Sequence, residues 1–299
     1  MKLTKTWFGQ LARGHYAFAL LCVISVLASW PAIRALVVYS LNHESCSHIL
    51  LVPIVSACLL LVDRRKIFSA VRPSPAAGVI ILLTGAIVYS LALRVPAIGY
   101  GNSSLSLATL GLVIIWIGGF LGVYGLEATR KALFPLLFLV LMVPLPDRVL
   151  AWTISVLQEG STVLSYGLFH LLGVPVLRQG FVLSLPSVTI EVASECSGIR
   201  SSIALFITCL LTAHLYLRSS WKILGFLLLV FPLALIKNAV RIVTLTLLSI
   251  YVDPSFLRGS LHQDGGFVFF ALALLLLLPV FVLLQKSERP RVAAALELE

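Results

Sequence analysis

Three polar clusters contain the residue types that acyl transfer needs: a thiol, a guanidinium and an imidazole. Cys196 lies in the run ASECSGIRS, Arg241 ends the run KNAVR, and His262 begins the run HQDGG. In such chemistry a thiolate attacks a carbonyl, an imidazole shuttles the proton, and a cation or backbone N–H groups stabilise the oxyanion. A catalytic triad is defined by geometry and role, so the order of its members along the chain is free. These residues predict cysteine acyl-transfer chemistry.

Neighbouring polar residues are expected to support these three. Cys196 falls at, or one turn from, the N-terminus of a predicted helix, where free N–H groups and the helix dipole favour a thiolate. Arg200 lies four residues further along the same helical face and adds positive charge. Asn238 and Arg241 are three residues apart, so they also share a helix face. The predicted supporting residues are Arg200, Asn238, Glu195, Asp264 and His48.

Each cluster also has a simpler explanation that the sequence leaves open. A serine beside the cysteine could cap the following helix, with the cysteine incidental. Lys237 could snorkel from the outer end of a long helix to the membrane surface. Snorkelling explains Asn238 and Arg241 less well, because eleven mostly apolar residues follow them. His262 could be an ordinary polar histidine of a loop.

A fourth polar run, HESCSH over residues 43–48, also contains residue types that bind metals. A structural zinc site needs four ligands in a tetrahedron, and six consecutive residues rarely supply them alone. We therefore predict neither a metal nor another cofactor. His48, which opens the second predicted span, is instead expected to line the active-site cavity.

The composition indicates that lipid is the solvent for most of the chain. Of 299 residues, 60% are hydrophobic and 11% are charged, whereas soluble domains carry about 25% charged residues. The apolar residues form long blocks rather than alternating patterns, which is typical of membrane spans. The net charge of +10 arises mostly from basic residues between these blocks. The positive-inside rule explains that charge, and nucleic-acid binding is not predicted.

The predicted fold is an all-α integral membrane protein with about eight transmembrane helices, each about 20 mostly apolar residues long. It forms a single polytopic domain over residues 1–290, and the tail 291–299 ends in AAALELE, which resembles a cloning scar. If the N-terminus is cytoplasmic and eight spans alternate, all five groups of Lys and Arg that flank the spans are cytoplasmic, and so is the C-terminus. The predicted spans are 16–38, 48–62, 76–95, 104–122, 132–146, 199–217, 223–245 and 266–285.

Two further segments are expected on the outer face, together with the three clusters. Residues 149–175 are amphipathic and predict an interfacial or re-entrant helix pair, because one more crossing would invert every later loop. Residues 179–192 are rich in β-branched side chains with Pro186 in the middle, which predicts a short β-hairpin before the Cys196 helix. The hairpin must lie outside the hydrocarbon, since an open sheet edge cannot face lipid.

The sequence resembles the exosortase/archaeosortase family over roughly residues 40–285. ECSGIRS at 195–201 is similar to the family's cysteine motif, NAVR at 238–241 to its arginine motif, and the segment from His262 to its histidine motif. The resemblance extends to SHILLVP at 47–53, DRRK at 63–66, FPLLFLVLMVPLP at 134–146 and GVPVLRQG at 173–180. The cysteine motif is moderately specific, and the ordered set is highly specific.

The resemblance implies catalytic roles for Cys196, Arg241 and His262 in a bacterial cysteine protease/transpeptidase. It implies membrane-anchored protein substrates with a C-terminal sorting signal of the PEP-CTERM type: a Pro-Glu-Pro motif, one transmembrane helix and a basic tail. Cleavage near the motif would transfer the new C-terminus to an unknown acceptor. Exosortases of this type accompany exopolysaccharide systems in Gram-negative bacteria. The expected location is therefore the cell inner membrane, with the active site facing the periplasm.

Two other classes of protein stay open from the residues alone. A multi-pass transporter or lipid carrier could bind an anionic substrate through Arg241 and Arg200 in a midplane cavity. The absence of evident inverted repeats weighs against that reading. A structural subunit of a polysaccharide export complex would make the three polar clusters a coincidence.

Overall fold

The computed structural model describes residues 2–94, 102–257 and 266–288, and the side chains at 2–12, 44, 195, 196 and 257 lie outside that description. The chain divides into two compact units, Met1–Leu150 and Ala151–Glu299. A single polytopic domain over residues 1–290 stays a prediction. The clusters around Cys196 and Arg241 both belong to the second unit.

Most of the described chain is α-helical. Its α-helices are α1 (Lys2–Ala28), α2 (Trp30–Asn42), α3 (Val52–Val62), α4 (Arg64–Ile67), α5 (Pro75–Arg94), α6 (Ser103–Lys131), α7 (Leu133–Phe138), α8 (Asp147–Leu171), α9 (Ile199–Tyr216), α10 (Ser220–Tyr251) and α11 (Gly266–Lys286). Short 3-10 turns lie at Glu44–Cys46, Leu139–Met142, Ser194–Ser197 and Pro254–Leu257.

Five helices of the described chain are long and apolar enough to cross a membrane, namely α5, α6, α9, α10 and α11. The count rises to seven if two bent pairs each form one span: Arg13–Ala28 with Trp30–Asn42, bent by 77°, and Leu133–Met142 with Asp147–Leu171, bent by 90°. The protein is therefore a multi-pass, mostly helical membrane protein. The predicted number of eight is not confirmed, because the second span contains only the 11-residue α3. At 1.5 Å per residue that helix is about 16 Å long, against about 30 Å of hydrocarbon.

The predicted helix pair over residues 149–175 is one continuous helix, α8. The break lies before it, where Val143 leaves the helical conformation with ψ 118°. Pro144 and Pro146 follow, and a proline both lacks an N–H donor and disfavours helix at the residue before it. These prolines explain the 90° bend, which the hydrophobicity pattern of the segment does not reveal.

In the first unit, α5 and α6 pack backbone against backbone along a line of glycines. A Cβ atom at Gly85 would lie 2.7 Å from the N atom of Ile115 and 2.8 Å from the carbonyl oxygen of Gly111. A Cβ at Gly78 would lie 2.3 Å from the Cα of Gly122. Small residues let membrane helices approach this closely, and the van der Waals contact between them replaces the hydrophobic driving force that lipid removes.

We expect Gly85→Ala to destabilise the first unit, because its methyl group would meet main-chain atoms that cannot move aside. Overpacking of this kind costs about 1–3 kcal/mol. The matched control is Gly122→Ala in the same seam, where the nearest heavy atom would lie at an ordinary 3.5 Å. Thermal unfolding in detergent measures both variants, and equal midpoints would contradict the close packing.

In the second unit, α9, α10 and α11 share an apolar core. Leu205 on α9, Phe226 on α10 and Ala273 on α11 are among its buried members. The carboxylate of Glu288, just after α11, accepts hydrogen bonds from the backbone N–H groups of Arg218 (2.7 Å) and Ser219 (2.9 Å). These two donors hold the pKa of Glu288 below its usual value. The end of α11 is thereby fixed to the start of α10.

The predicted β-hairpin is a three-stranded antiparallel sheet in the order β1-β2-β3. Its strands are β1 (Leu177–Gln179), β2 (Val182–Ser184) and β3 (Thr189–Glu191). The extra strand arises because Gly180, with a φ of 60°, takes the left-handed conformation in the turn between β1 and β2. One face of the sheet packs through Leu183 against Phe169 of α8 and Val243 of α10. The sheet is therefore anchored on two helices of its own unit.

Candidate active site

Cys196 lies in a short 3-10 turn that ends at a glycine with a left-handed backbone. The 3-10 turn Ser194–Ser197 ends at Gly198, whose φ of 75° and ψ of 15° are left-handed, and Gly198 is the N-cap of α9. The main chain of Cys196 therefore stands three residues before the first residue of α9. The side chains of Glu195 and Cys196 lie outside the described part, as do His262 and Asp264 entirely.

The backbone of this turn rests directly on Asn238 of α10. A Cβ atom at Gly198 would lie 2.8 Å from Oδ1 and 3.0 Å from Cγ of Asn238. The position thus requires glycine for two reasons: its backbone is left-handed, and there is no room for a side chain. The cysteine motif and the arginine motif, forty residues apart, are brought into contact here.

Asn238 is itself held in place by α8. Its side chain is 1% exposed, and its Nδ2 donates a hydrogen bond to Oγ of Ser161 at 3.0 Å. Ser161 is fully buried on α8. A buried polar group is costly unless it is hydrogen-bonded, so this bond selects one arrangement of α8 and α10. The support of the cysteine turn therefore continues into the helix predicted to lie at the membrane surface.

Ser161→Ala is expected to destabilise the second unit by about 1–2 kcal/mol, because it removes the acceptor of a buried amide. A matched control lies one turn later at Ser165, which is also fully buried but whose Oγ has no hydrogen-bond partner in the described structure. Ser165→Ala should cost little or stabilise. Denaturation midpoints in detergent compare the two, and equal losses would argue against a role for the Ser161 bond.

Lys237 forms a second link between α10 and the cysteine turn. Its side chain is 4% exposed, and its Nζ donates to Oγ of Ser201 in the first turn of α9. Ser201 in turn donates to the carbonyl oxygen of Gly198 at 3.1 Å. The snorkelling explanation of Lys237 is therefore wrong: the amine points into the protein, and it reaches the cysteine turn through a hydroxyl.

Two arginines lie on the helices that adjoin the turn. Arg241 follows Lys237 by four residues on α10 and is half-buried, and Arg200 is exposed at the second residue of α9. Cationic groups favour the charged form of a nearby thiol and stabilise a developing oxyanion.

His48 belongs to the first unit. It lies in the turn before α3 and is half-buried, so its expected place in the active-site cavity stays a prediction. In the described part of the chain, no three side chains of the His, Cys, Asp and Glu types gather into a possible metal site.

A family model described as transmembrane exosortase matches residues 39–279. The chain belongs to the transmembrane exosortase family. The match covers most of the chain and includes Cys196, Arg241 and His262, so the family resemblance of the sequence is confirmed. No curated protein and no solved structure matched the chain. Membership supports a role as a membrane sorting enzyme, acting on substrates with C-terminal sorting signals.

For this exosortase, sequence reasoning alone missed three supporting residues. The residue pattern explains Lys237 by snorkelling, and it predicts no role for Ser161 or Ser201. One signal was available: Ser161 and Ser165 lie four residues apart, so they share a face of the amphipathic helix, and a buried polar face of this kind often holds a polar partner. That the partner is Asn238 follows only from the packing of the helices.

Proposed function

We propose that this exosortase is a membrane-embedded cysteine protease/transpeptidase. It cleaves C-terminal sorting signals of the PEP-CTERM type from membrane-anchored proteins and transfers the new C-terminus to an acceptor. The observation that carries the proposal is the end of the turn Ser194–Ser197. At Gly198, the next residue, only glycine fits against the side chain of Asn238. A turn held this firmly at a helix N-terminus suits a nucleophile that must be pre-positioned.

In the proposed reaction, Sγ of Cys196 attacks the scissile carbonyl carbon while His262 accepts the thiol proton. Arg241 stabilises the negative oxygen of the tetrahedral intermediate. The C–N bond then breaks, the leaving amine takes the proton from His262, and a thioester on Cys196 results. A nucleophilic group of the acceptor attacks that thioester, the C–S bond breaks, and the thiol is restored.

The supporting residues have proposed roles around this reaction. Arg200 adds positive charge beside the thiolate. Asn238 and Lys237 position the turn that carries the nucleophile, Asn238 by direct contact with Gly198 and Lys237 through Ser201. Glu195, Asp264 and His48 stay candidates for orienting groups.

The proposed setting is the cell inner membrane, with both termini in the cytoplasm and the site facing the periplasm. The distribution of Lys and Arg supports this orientation. A substrate helix with a basic cytoplasmic tail would then present its sorting motif at the same outer face as Cys196.

Coexpression with a tagged, signal-bearing substrate tests the proposed function. We expect a shortened product whose new C-terminus, mapped by mass spectrometry, lies at or beside the sorting motif. A substrate that is never cleaved by the wild-type protein would contradict the proposal. A transporter would also leave every such substrate intact, so the same readout separates the two classes.

A further inference from the structure

The outer edge of β3 is unpaired. β3 is the last strand of the sheet order, so only one of its sides pairs with β2. An open edge exposes a row of N–H and C=O groups that other chains can join, and proteins usually cover or interrupt it. Within the described residues no other strand covers this one.

The register identifies the groups that the edge presents. Hydrogen bonds run from the N–H of Leu185 to the carbonyl of Val188 (2.9 Å) and from the N–H of Val192 to the carbonyl of Phe181 (3.0 Å). In an antiparallel pair the hydrogen-bonded positions alternate. Val188 and Ile190 therefore direct their main-chain groups towards β2, as Val192 does with its N–H, whereas Thr189 and Glu191 direct theirs outwards. The carbonyl of Val192 accepts a hydrogen bond from Nε2 of Gln158 on α8.

The residues that carry the outward groups are exposed and close in sequence to the nucleophile. Thr189 and Glu191 are both exposed. The carbonyl of Glu191 already accepts from the N–H of Ala193 at 3.0 Å. The N–H and C=O of Thr189 and the N–H of Glu191 are left at the edge. Three residues further, the chain enters the turn Ser194–Ser197 that carries Cys196.

The edge strand is also anchored by its inner side chains. Ile190 and Val192 of the same segment pack with Leu183 into the apolar cluster on α8 and α10. A fourth strand added here would meet an ordered template, which lowers the entropy cost of binding. Peptide recognition by strand addition uses main-chain hydrogen bonds for affinity and side-chain pockets for selectivity.

We propose that the outer edge of β3 binds an extended segment of the protein substrate as a fourth strand and delivers it to Cys196. This inference rests on the proposed function and adds the mode of substrate binding. The ligand class is an extended polypeptide, recognised at Thr189 and Glu191 through its main chain. Three paired residues span about 10 Å, the length of β3 itself.

Thr189→Pro tests the edge without breaking the sheet. Proline removes the outward N–H and places its ring where the fourth strand would lie, and proline is tolerated on an edge strand whose N–H faces outwards. We expect KM for the signal-bearing substrate to rise at least about tenfold, with kcat within about twofold, since the loss of main-chain pairing weakens binding. Steady-state cleavage in detergent or nanodiscs gives both constants.

Two controls separate edge binding from damage to the fold. Thr189→Val keeps the N–H and the β-branched shape, so its KM should match the wild type. Ile190→Pro removes an inward-facing N–H of the β2–β3 ladder and should lower the unfolding temperature, which Thr189→Pro should not.

A second experiment changes the substrate instead of the enzyme, so it does not require an enzyme variant to fold. A peptide matching the cleaved segment should compete with the substrate, and the same peptide N-methylated at alternate backbone positions should compete at least about tenfold less well. Equal competition, or a wild-type KM in a folded Thr189→Pro protein, would overturn strand addition. If Cys196→Ala is inactive in that same assay, the proposed function survives and only the binding mode fails.

Discussion

Cys196→Ala is expected to abolish processing of a signal-bearing substrate, by about 10⁴-fold or more, because it removes the atom that forms the covalent intermediate. The substitution removes only the sulfur atom from a side chain in a 3-10 turn whose end is held by Gly198 and Asn238. The fold should therefore persist, with an unchanged unfolding temperature. The readout is the fraction of substrate cleaved at steady state, together with the amount of enzyme recovered from the membrane.

Cys58→Ala is the matched control, since Cys58 is an exposed free cysteine on α3. It should process substrate at the wild-type rate. Iodoacetamide should inactivate the wild type and the Cys58→Ala protein alike. Normal processing by the Cys196→Ala protein would contradict the cysteine mechanism. The remaining alternatives would then be a transporter or lipid carrier and a structural subunit.

Gly198→Ala is expected to lower processing by about 10²-fold, because it displaces the turn that carries the nucleophile. Small displacements of a reacting group have effects of this size. The left-handed backbone of Gly198 costs a non-glycine residue about 1–2 kcal/mol, and the new methyl group would in addition meet Oδ1 of Asn238 at 2.8 Å. Only the second effect pushes the main chain away from α10.

Gly173→Ala separates these two effects. Gly173 also has a left-handed backbone, with a φ of 69°, but a Cβ there would meet nothing within 4 Å. It should lose stability to a similar degree and keep its activity. The measurement is kcat/KM beside the unfolding temperature for both variants. Equal activities at equal stabilities would show that the contact between Gly198 and Asn238 does not position the nucleophile.

Long apolar runs made much of the fold predictable. The predicted third, fourth, sixth, seventh and eighth spans each coincide with a helix that is long enough to cross the membrane. Helix length and composition do not predict where a helix bends or where a short strand lies. Two prolines after Val143 turn the chain by 90°, and strands of three residues, such as Leu177–Gln179, are too short for an alternating pattern to identify.

The candidate catalytic residues could be selected from the sequence, whereas the residues that hold the cysteine turn could not. Cys196 and Arg241 interrupt apolar sequence with chemically distinctive side chains, which a reader of the sequence can find. The direction of the Lys237 amine depends on where α9 lies beside α10, and that is a property of tertiary packing. Likewise, nothing local to Ser161 distinguishes it from Ser165, and only the position of Asn238 does so.

The contact of Glu288 with Arg218 and Ser219 has a consequence for biosynthesis. The N–H groups of Arg218 and Ser219 are synthesised about seventy residues before the Glu288 carboxylate that accepts their hydrogen bonds. When α9 and α10 first leave the ribosome, the start of α10 therefore lacks the anion that later covers it. The second unit can therefore make this contact only after α11 has been translated.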